Sequence, residues 1–127
     1  MSKSIIYTPS APNPVGPYSQ AVLANDTLYA SGQIALDPAT GTLVNDTIEA
    51  ETTQVMENLK AVLEAAGMGF NHVVSCSVFV ADIRQYDKIN AVYGKYFDEA
   101  TAPARALVEV ANLPKFVNVE VSLIAVR

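Results

Sequence analysis

The sequence predicts an α+β fold in which two helices cover one face of a mixed β-sheet. Two segments predict the helices, because apolar residues recur at helical spacing over 48–63 and again over 86–97. The other apolar segments are short and rich in valine, as expected of strands. The predicted order is β-β-β-α-β-α-β-β. Residues 1–127 contain no linker, repeat or low-complexity tract, so we expect a single domain.

The segment before the first helix is predicted to be extended. Prolines at positions 9, 12, 14 and 17 break it into a non-helical arm. Strands are predicted at 18–24 and 27–31. Asn25 and Asp26 join them in a hairpin, because both residues tolerate left-handed backbone. Gly32 then marks a loop.

The helix boundaries are predicted from capping residues. Asp46 and Glu49 resemble a capping box at the start of the first helix, although Thr47 is an alternative cap. Gly67 suits the left-handed position just past its end. Asp82 is the candidate cap of the second helix. The apolar side of that helix is formed by Tyr86, Ile89, Tyr93, Tyr96 and Phe97.

The remaining strands are predicted at 72–80, 104–110 and 118–126. Two helices cannot cover both faces of such a sheet, yet the strand at 73–80 is poor in charge on either face. One face carries Val74, Cys76, Val78 and Val80, and the other carries Val73, Ser75, Ser77 and Phe79. We therefore expect another subunit to cover the second face.

Composition excludes several classes of protein. Half of the residues are hydrophobic and 17% are charged, but the longest apolar segments are strand-length, which argues against a membrane span. The net charge of −5 and the absence of a basic cluster argue against nucleic acid as a partner. A single cysteine excludes an intrachain disulfide. Together with an N-terminus unlike a signal peptide, it predicts a cytoplasmic protein.

Arg105 places a permanent charge within an apolar strand. If the last two strands pair as a hairpin around residues 112–113, Arg105 lies opposite Glu120. Two interpretations are then open. The residues alone favour a structural ion pair. The second interpretation is functional: the planar guanidinium of Arg105 binds a ligand carboxylate, while Glu120 holds a water or transfers a proton.

The other candidate site residues have simpler explanations. Tyr18, Ser31, Gly32 and Asn90 can each serve a ligand site, but packing, turn formation or solvation explains them equally well. Cys76 alternates with valines and is predicted to be a buried small hydrophobe. One His and one Cys cannot form a zinc site, and no phosphate-loop or dinucleotide motif is present. A reaction without a cofactor, or ligand binding alone, is what the sequence favours.

Five segments together resemble the Rid/YjgF family of imine deaminases, the reactive-intermediate deaminases. They are NPVGPYSQAV (13–22), YASGQIALDPATGTL (29–43), INAVYGKYF (89–97), PARALVEVANLPK (103–115) and VEVSLIAV (119–126). Each segment alone is a weak signal, but all five in this order are a specific one, and they span nearly the whole chain.

The resemblance implies a chorismate-mutase-like fold and a homotrimer with clefts between subunits. It also implies hydrolysis of 2-iminobutanoate and 2-iminopropanoate to 2-keto acids and ammonia, without a cofactor. By motif position, Arg105 binds the substrate carboxylate and Glu120 positions the attacking water. The implied cleft is lined by Tyr18, Ser31 and Asn90.

The chain departs from the family pattern just after the arginine. Many members have Ser followed by Cys or another small residue, whereas this chain has Ala106 and Leu107. By strand parity Leu107 shares a face with Arg105, where it is expected to narrow the cleft or make it more apolar. The departure affects the expected substrate range more than the expected activity.

Two other functions are alternatives. A regulatory trimer could use the same Arg105 clamp to bind a keto acid or another carboxylate without turnover. The older description of the family as ribonucleases or translation inhibitors is disfavoured by the net charge of −5, the single histidine and the lack of a basic stripe.

Overall fold

The computed structural model describes residues 2–127, which form a six-stranded mixed sheet and two α-helices. The strands are β1 (Lys3–Ile6), β2 (Ala21–Ala24), β3 (Thr27–Gln33), β4 (Val73–Val80), β5 (Ala104–Glu109) and β6 (Val119–Val126). The helices are α1 (Ile48–Ala65) and α2 (Tyr86–Tyr93). The strand order is β1-β2-β3-β6-β4-β5, with β4 and β5 parallel and the other pairs antiparallel. The predicted class and element order are confirmed.

Helix α1 packs on the sheet through a fully buried apolar stripe. Each such side chain contributes about 1.5–3 kcal/mol through its removal from water. The Thr47 hydroxyl caps the helix, accepting a hydrogen bond from the Ala50 N–H at 3.0 Å, so the alternative cap is the one used. Among residues 2–127, neither helix is long and apolar enough to cross a membrane. The buried stripe consists of Val55, Met56, Leu59, Val62 and Leu63.

The hairpin between β2 and β3 forms at the predicted turn, where Asn25 has φ +55°. The strands themselves differ from the prediction at their ends. Strand β2 begins at Ala21, because the preceding arm leaves the sheet, and β3 continues through Ser31 to Gln33. The register of β3 against β6 shifts between Ala30 and Gln33, which places an irregularity at the edge of one cavity described below.

The pairing of the last two strands differs from the prediction. Strand β5 lies at the edge of the sheet beside β4, and β6 lies between β3 and β4. Burial explains this, because alternate residues of β6 are at most 3% exposed, whereas no residue of β5 is buried. So deeply buried a strand needs hydrogen-bond partners on both edges. Arg105 therefore pairs with Cys76 and Glu120 with Phe79, and the predicted Arg105–Glu120 pair is wrong.

The sheet face opposite the helices carries exposed apolar side chains. The strand register places Ile5, Tyr29, Val108 and Val126 together on this face. Their exposed fractions are 56, 51, 45 and 41%, respectively. This is the face that the sequence predicts to be covered by another copy of the chain, and that cover stays a prediction.

Candidate functional site

Most of the predicted site residues fall into two groups on opposite faces of the sheet. Arg105 points to the helix side, because its strand partner is the buried Cys76. Glu120 points to the other side, because its partner Phe79 lies three residues from Cys76 along β4. Arg105 and Asn90 line one cavity, and Tyr18, Gly32 and Glu120 line another. We call them the Arg105 half-site (Tyr86, Asn90, Tyr93, Arg105) and the Glu120 half-site (Tyr18, Gly32, Glu120).

In the Arg105 half-site, neutral groups hold the guanidinium. Its Nη1 donates to Asn90 Oδ1 at 2.7 Å, and its Nη2 donates to the Tyr86 hydroxyl at 2.8 Å. The guanidinium carbon lies 4.8 Å from the centre of the Tyr93 ring, a cation–π distance. A guanidinium has five N–H groups, so these bonds fix its plane while leaving donors for an anion. None of these partners neutralises its charge.

Helix α2 supplies every one of these partners. Tyr86, Asn90 and Tyr93 are spaced four and three residues apart, so they share one face of the helix. The sequence pattern marks Tyr86 and Tyr93 as apolar core, and their role around Arg105 was missed. One signal in the sequence could have indicated this role. Asn90 is a polar residue close to the aromatic side of α2, and such a residue can be a hydrogen-bond partner for a charged strand residue such as Arg105.

Cys76 lies behind this half-site and is 1% exposed, which confirms the predicted buried small hydrophobe. Burial raises the pKa of its thiol, and this outweighs the lowering by the Tyr93 hydroxyl and the Arg105 charge. Burial and the neighbouring Cys76 also raise the pKa of Tyr93. Neither group ionises near neutral pH, so the charged side chains that line this cavity are Arg105 and Glu99, and only Arg105 is cationic.

The Glu120 half-site presents a carboxylate that lacks a cationic partner. Glu120 is half-buried, and burial raises the pKa of its carboxyl group. Within residues 2–127 it forms no ion pair, although Lys115 lines the same cavity. Tyr18 forms an outer wall, with its hydroxyl 3.4 Å from the Val15 N–H. A carboxylate in such surroundings is suited to accepting a proton or orienting a water.

Gly32 allows the Glu120 carboxylate to occupy its position. A Cβ atom added at Gly32 would lie 2.5 Å from Glu120 Oε2 and 2.8 Å from its carboxyl carbon. These distances are too short for non-bonded atoms, so only glycine permits this side-chain position. Glycine is required at position 32 because any side chain would overlap the Glu120 carboxylate, and not because of a positive φ angle.

The proline-rich arm that borders this cavity is held by Gln20, which sequence reasoning missed. Gln20 is 2% exposed, and its Nε2 lies within hydrogen-bond distance of the carbonyls of Thr8, Ala11 and Pro12. Its Oε1 accepts from the Thr8 N–H at 2.7 Å. The buried Gln20 amide thus provides hydrogen-bond partners for backbone groups of the arm that no strand or helix satisfies. No simple sequence signal distinguishes such a glutamine.

Two predicted site residues do not line either cavity. The Ser31 hydroxyl donates to the Ser19 carbonyl at 2.6 Å, which ties the end of the arm to β3. Leu107 shares the helix-side face of β5 with Arg105, as parity predicts, but it pairs with Val78 and packs against the hydrophobic core. In the described chain Leu107 therefore belongs to the core and does not line the Arg105 cavity.

The fold and the two half-sites define a small α+β protein whose candidate ligand site has two parts, a held guanidinium and a partly desolvated carboxylate. The family described as Endoribonuclease L-PSP matches residues 8–127. The chain belongs to this family, that of the Rid/YjgF proteins.

Relatives match over nearly the full chain. The RutC family protein slr0709 of Synechocystis is 53% identical, over 99% of this chain and 98% of that protein. The human 2-iminobutanoate/2-iminopropanoate deaminase is 42% identical, over 98% of this chain and 90% of that protein. The solved structure of the Rid family protein YyfA from Yersinia pestis has a TM-score of 0.96 and 44% identity, covering 99% of this chain and 100% of that one.

Proposed function

We propose that the chain is a 2-iminobutanoate/2-iminopropanoate deaminase that removes reactive imines. The observation that carries this proposal is the Arg105 guanidinium, which neutral partners hold in a fixed plane at a cavity wall. This is the arrangement that a bidentate carboxylate requires. The name of the human relative supports the same reaction.

The reaction follows from the groups in the two half-sites. Arg105 binds the carboxylate and so fixes the imine carbon, which is electrophilic. Glu120 orients a water and accepts one of its protons as the water oxygen bonds to that carbon. Glu120 passes that proton to the nitrogen, which gives a carbinolamine. Glu120 then moves the hydroxyl proton to the amine, the carbon–nitrogen bond breaks, and ammonia leaves as the carbon–oxygen bond becomes a ketone. The step involves no oxidation or reduction, so it needs no redox cofactor.

The two half-sites cannot serve one small substrate within a single chain, because they face opposite sides of the sheet. We therefore propose a homotrimer in which the Arg105 half-site of one copy meets the Glu120 half-site of the next. The exposed apolar side chains on the helix-free face support such an assembly. A cytoplasmic location fits a chain whose single cysteine is a free thiol.

A trapping assay tests the activity. A dehydratase generates 2-iminobutanoate in the presence of semicarbazide, and we expect the protein to speed keto-acid release and reduce trapped imine. Binding without turnover is the alternative: the protein would then bind 2-ketobutyrate without any acceleration, and the deaminase proposal would be wrong. A ribonuclease is not proposed, because the chain has a net charge of −5 and lacks the charge that attracts RNA.

A further inference from the structure

The first turn of α1 carries a carboxylate that is entirely removed from water. Glu51 is 0% exposed, and within residues 2–127 it forms no ion pair. Its Oε2 accepts from the Asn118 N–H at 2.7 Å and the Val119 N–H at 3.3 Å, and its Oε1 accepts from Asn118 Nδ2 at 2.8 Å. Three N–H groups from one short stretch thus converge on one side chain.

That stretch lies directly before Glu120. Asn118 is also held on its other side, because its carbonyl accepts from the Ala81 N–H at 3.0 Å. Val119 begins β6, and Glu120 is the next residue. Any shift of Asn118 or Val119 therefore moves the backbone that carries the Glu120 carboxylate.

The loop before Asn118 needs an anchor. Lys115 and Phe116 have φ of +56° and +54°, a region that residues other than glycine adopt with strain. Pro114 and Lys115 line the Glu120 cavity, so this strained backbone is also part of its wall. A strained segment persists only where its ends are fixed, and Glu51 fixes the end that leads into Glu120.

We propose that Glu51 is a positioning residue for the Glu120 half-site: its carboxylate clamps residues 118–119 and so sets the place of Glu120 and of the Pro114–Lys115 wall. The proposal rests on the proposed function, since it assigns Glu120 a part in the reaction. Glu51 itself touches no substrate. It acts on the Glu120 half-site and leaves the Arg105 half-site, on the other sheet face, unchanged.

Glu51→Leu tests the clamp by removing every acceptor while keeping side-chain bulk. We expect kcat to fall by about tenfold to a hundredfold, because a misplaced Glu120 carboxylate orients the water poorly. KM should change less than about twofold, because Arg105, which binds the substrate carboxylate, is unaffected. The matched control is Glu49→Leu, an exposed acidic residue of the same helical turn, which should retain kcat. A purely structural role of Glu51 predicts a lower melting temperature with kcat unchanged well below it, and that result would refute the proposal.

A pair of compensating substitutions, Asn118→Asp and Glu51→Gln, distinguishes loss of the Glu51–Asn118 hydrogen bonds from misfolding. Asn118→Asp sets a second carboxylate against Glu51, so we expect kcat to fall. Adding Glu51→Gln should restore it, because the new amide can donate to the new carboxylate. Glu51→Gln alone should stay close to wild type, since the Asn118 amide can rotate and offer its oxygen to the glutamine. Absence of rescue in the double variant would contradict the clamp.

Hydrogen exchange separates this proposal from the proposed function. In Glu51→Leu, the amides of Asn118 and Val119 should exchange faster than in Glu49→Leu, and the Glu120 carboxyl titration followed by NMR should shift. If the wild type shows no deaminase activity, the proposed function fails and these two readouts still decide whether Glu51 positions Glu120. Unchanged exchange and an unchanged titration would refute the positioning role.

Discussion

The Arg105 and Glu120 half-sites are built in opposite ways. Arg105 lies on an edge strand, and three residues of one helix hold its guanidinium. Glu120 lies on a central strand, and its surroundings come from the arm, a glycine and a strained loop. The Arg105 half-site fixes a guanidinium so that it can bind an anion. The Glu120 half-site partly removes a carboxylate from water and provides no cation to pair with it.

The difference indicates a division of tasks. A guanidinium in a fixed plane recognises a carboxylate and needs little reorganisation when it binds. A carboxyl group with a raised pKa is poised for proton transfer but contributes little to affinity. Each half-site lacks what the other supplies, and substitutions in the two should therefore affect different kinetic constants.

The largest effect is expected from Glu120→Gln, which keeps the shape of the side chain and removes its basicity. We expect kcat to fall by about 10²–10⁴-fold, the usual contribution of a general base. In the wild type, kcat/KM should decline as the pH falls through the Glu120 pKa, because the protonated group cannot accept a proton. Burial raises that pKa, so the inflection should lie above the ordinary carboxyl range.

A pH–rate series from about pH 4 to 9 measures this. The acid limb should be absent in Glu120→Gln. An acid limb that persists unchanged in the variant would assign it to another group and remove Glu120 from the reaction.

The next effect is expected from Arg105→Ala. Losing a charge-assisted hydrogen-bonded pair costs about 1.5–3 kcal/mol, so kcat/KM should fall by roughly tenfold to a hundredfold. Steady-state kinetics should place much of the loss in KM, in contrast to Glu120→Gln. Arg105→Lys should also be poor, because an ammonium group lacks the planar fork.

Arg84→Ala is the matched control for this loss of charge. Arg84 is an exposed arginine that pairs only with Asp82 within the described residues, so its loss should leave KM unchanged. If Arg105→Ala unfolds the protein in a thermal melt, Arg105 has a structural role and the clamp account fails.

Gly32→Ala is expected to act through Glu120. The new methyl group would overlap the Glu120 carboxylate and displace it, so kcat should fall by about tenfold or more. A double-mutant cycle checks the cause: Gly32→Ala added to Glu120→Gln should cost little further activity, because both act on the same group. Fully additive losses would show that Gly32 matters for another reason.

The smallest effect is expected from Cys76→Ala, behind the Arg105 half-site. The cost in stability should be about 1 kcal/mol, as for a small buried truncation, with kcat and KM close to wild type. A thiol reagent should react with the wild-type chain only on unfolding, since Cys76 is buried and burial raises its pKa. Rapid labelling of the folded protein would contradict the described packing.

Local sequence patterns predicted the positions of the helices and strands well. They predicted poorly which strands are neighbours in the sheet. Helical spacing, Thr47 and Gly67 bounded α1, because periodicity and caps are properties of neighbouring residues. The predicted β5–β6 hairpin is wrong, because two strands that are consecutive in sequence need not be neighbours in the sheet. The even alternation of buried residues in β6 was visible in the sequence, but it does not specify which strands lie on either side.

The candidate site was predicted in the same uneven way. Resemblance to a family supplied Arg105, Glu120, Tyr18 and Asn90, which each line one of the two cavities, and Ser31, which lines neither. It did not supply the residues that hold them in place, such as Tyr86. Supporting residues act through contacts between distant segments, and single-sequence reasoning has no access to those contacts.

Subunit complementation tests most directly the claim that one site joins two half-sites from different copies. Arg105→Ala and Glu120→Gln chains, each expected to retain at most about a tenth of wild-type activity when assayed below KM, are unfolded and refolded together. Random mixing into trimers should restore roughly a quarter of wild-type activity, because every mixed trimer contains one site with both residues intact. Recovery no greater than the sum of the two separate variants, in particles that sediment as mixed oligomers, would contradict the account.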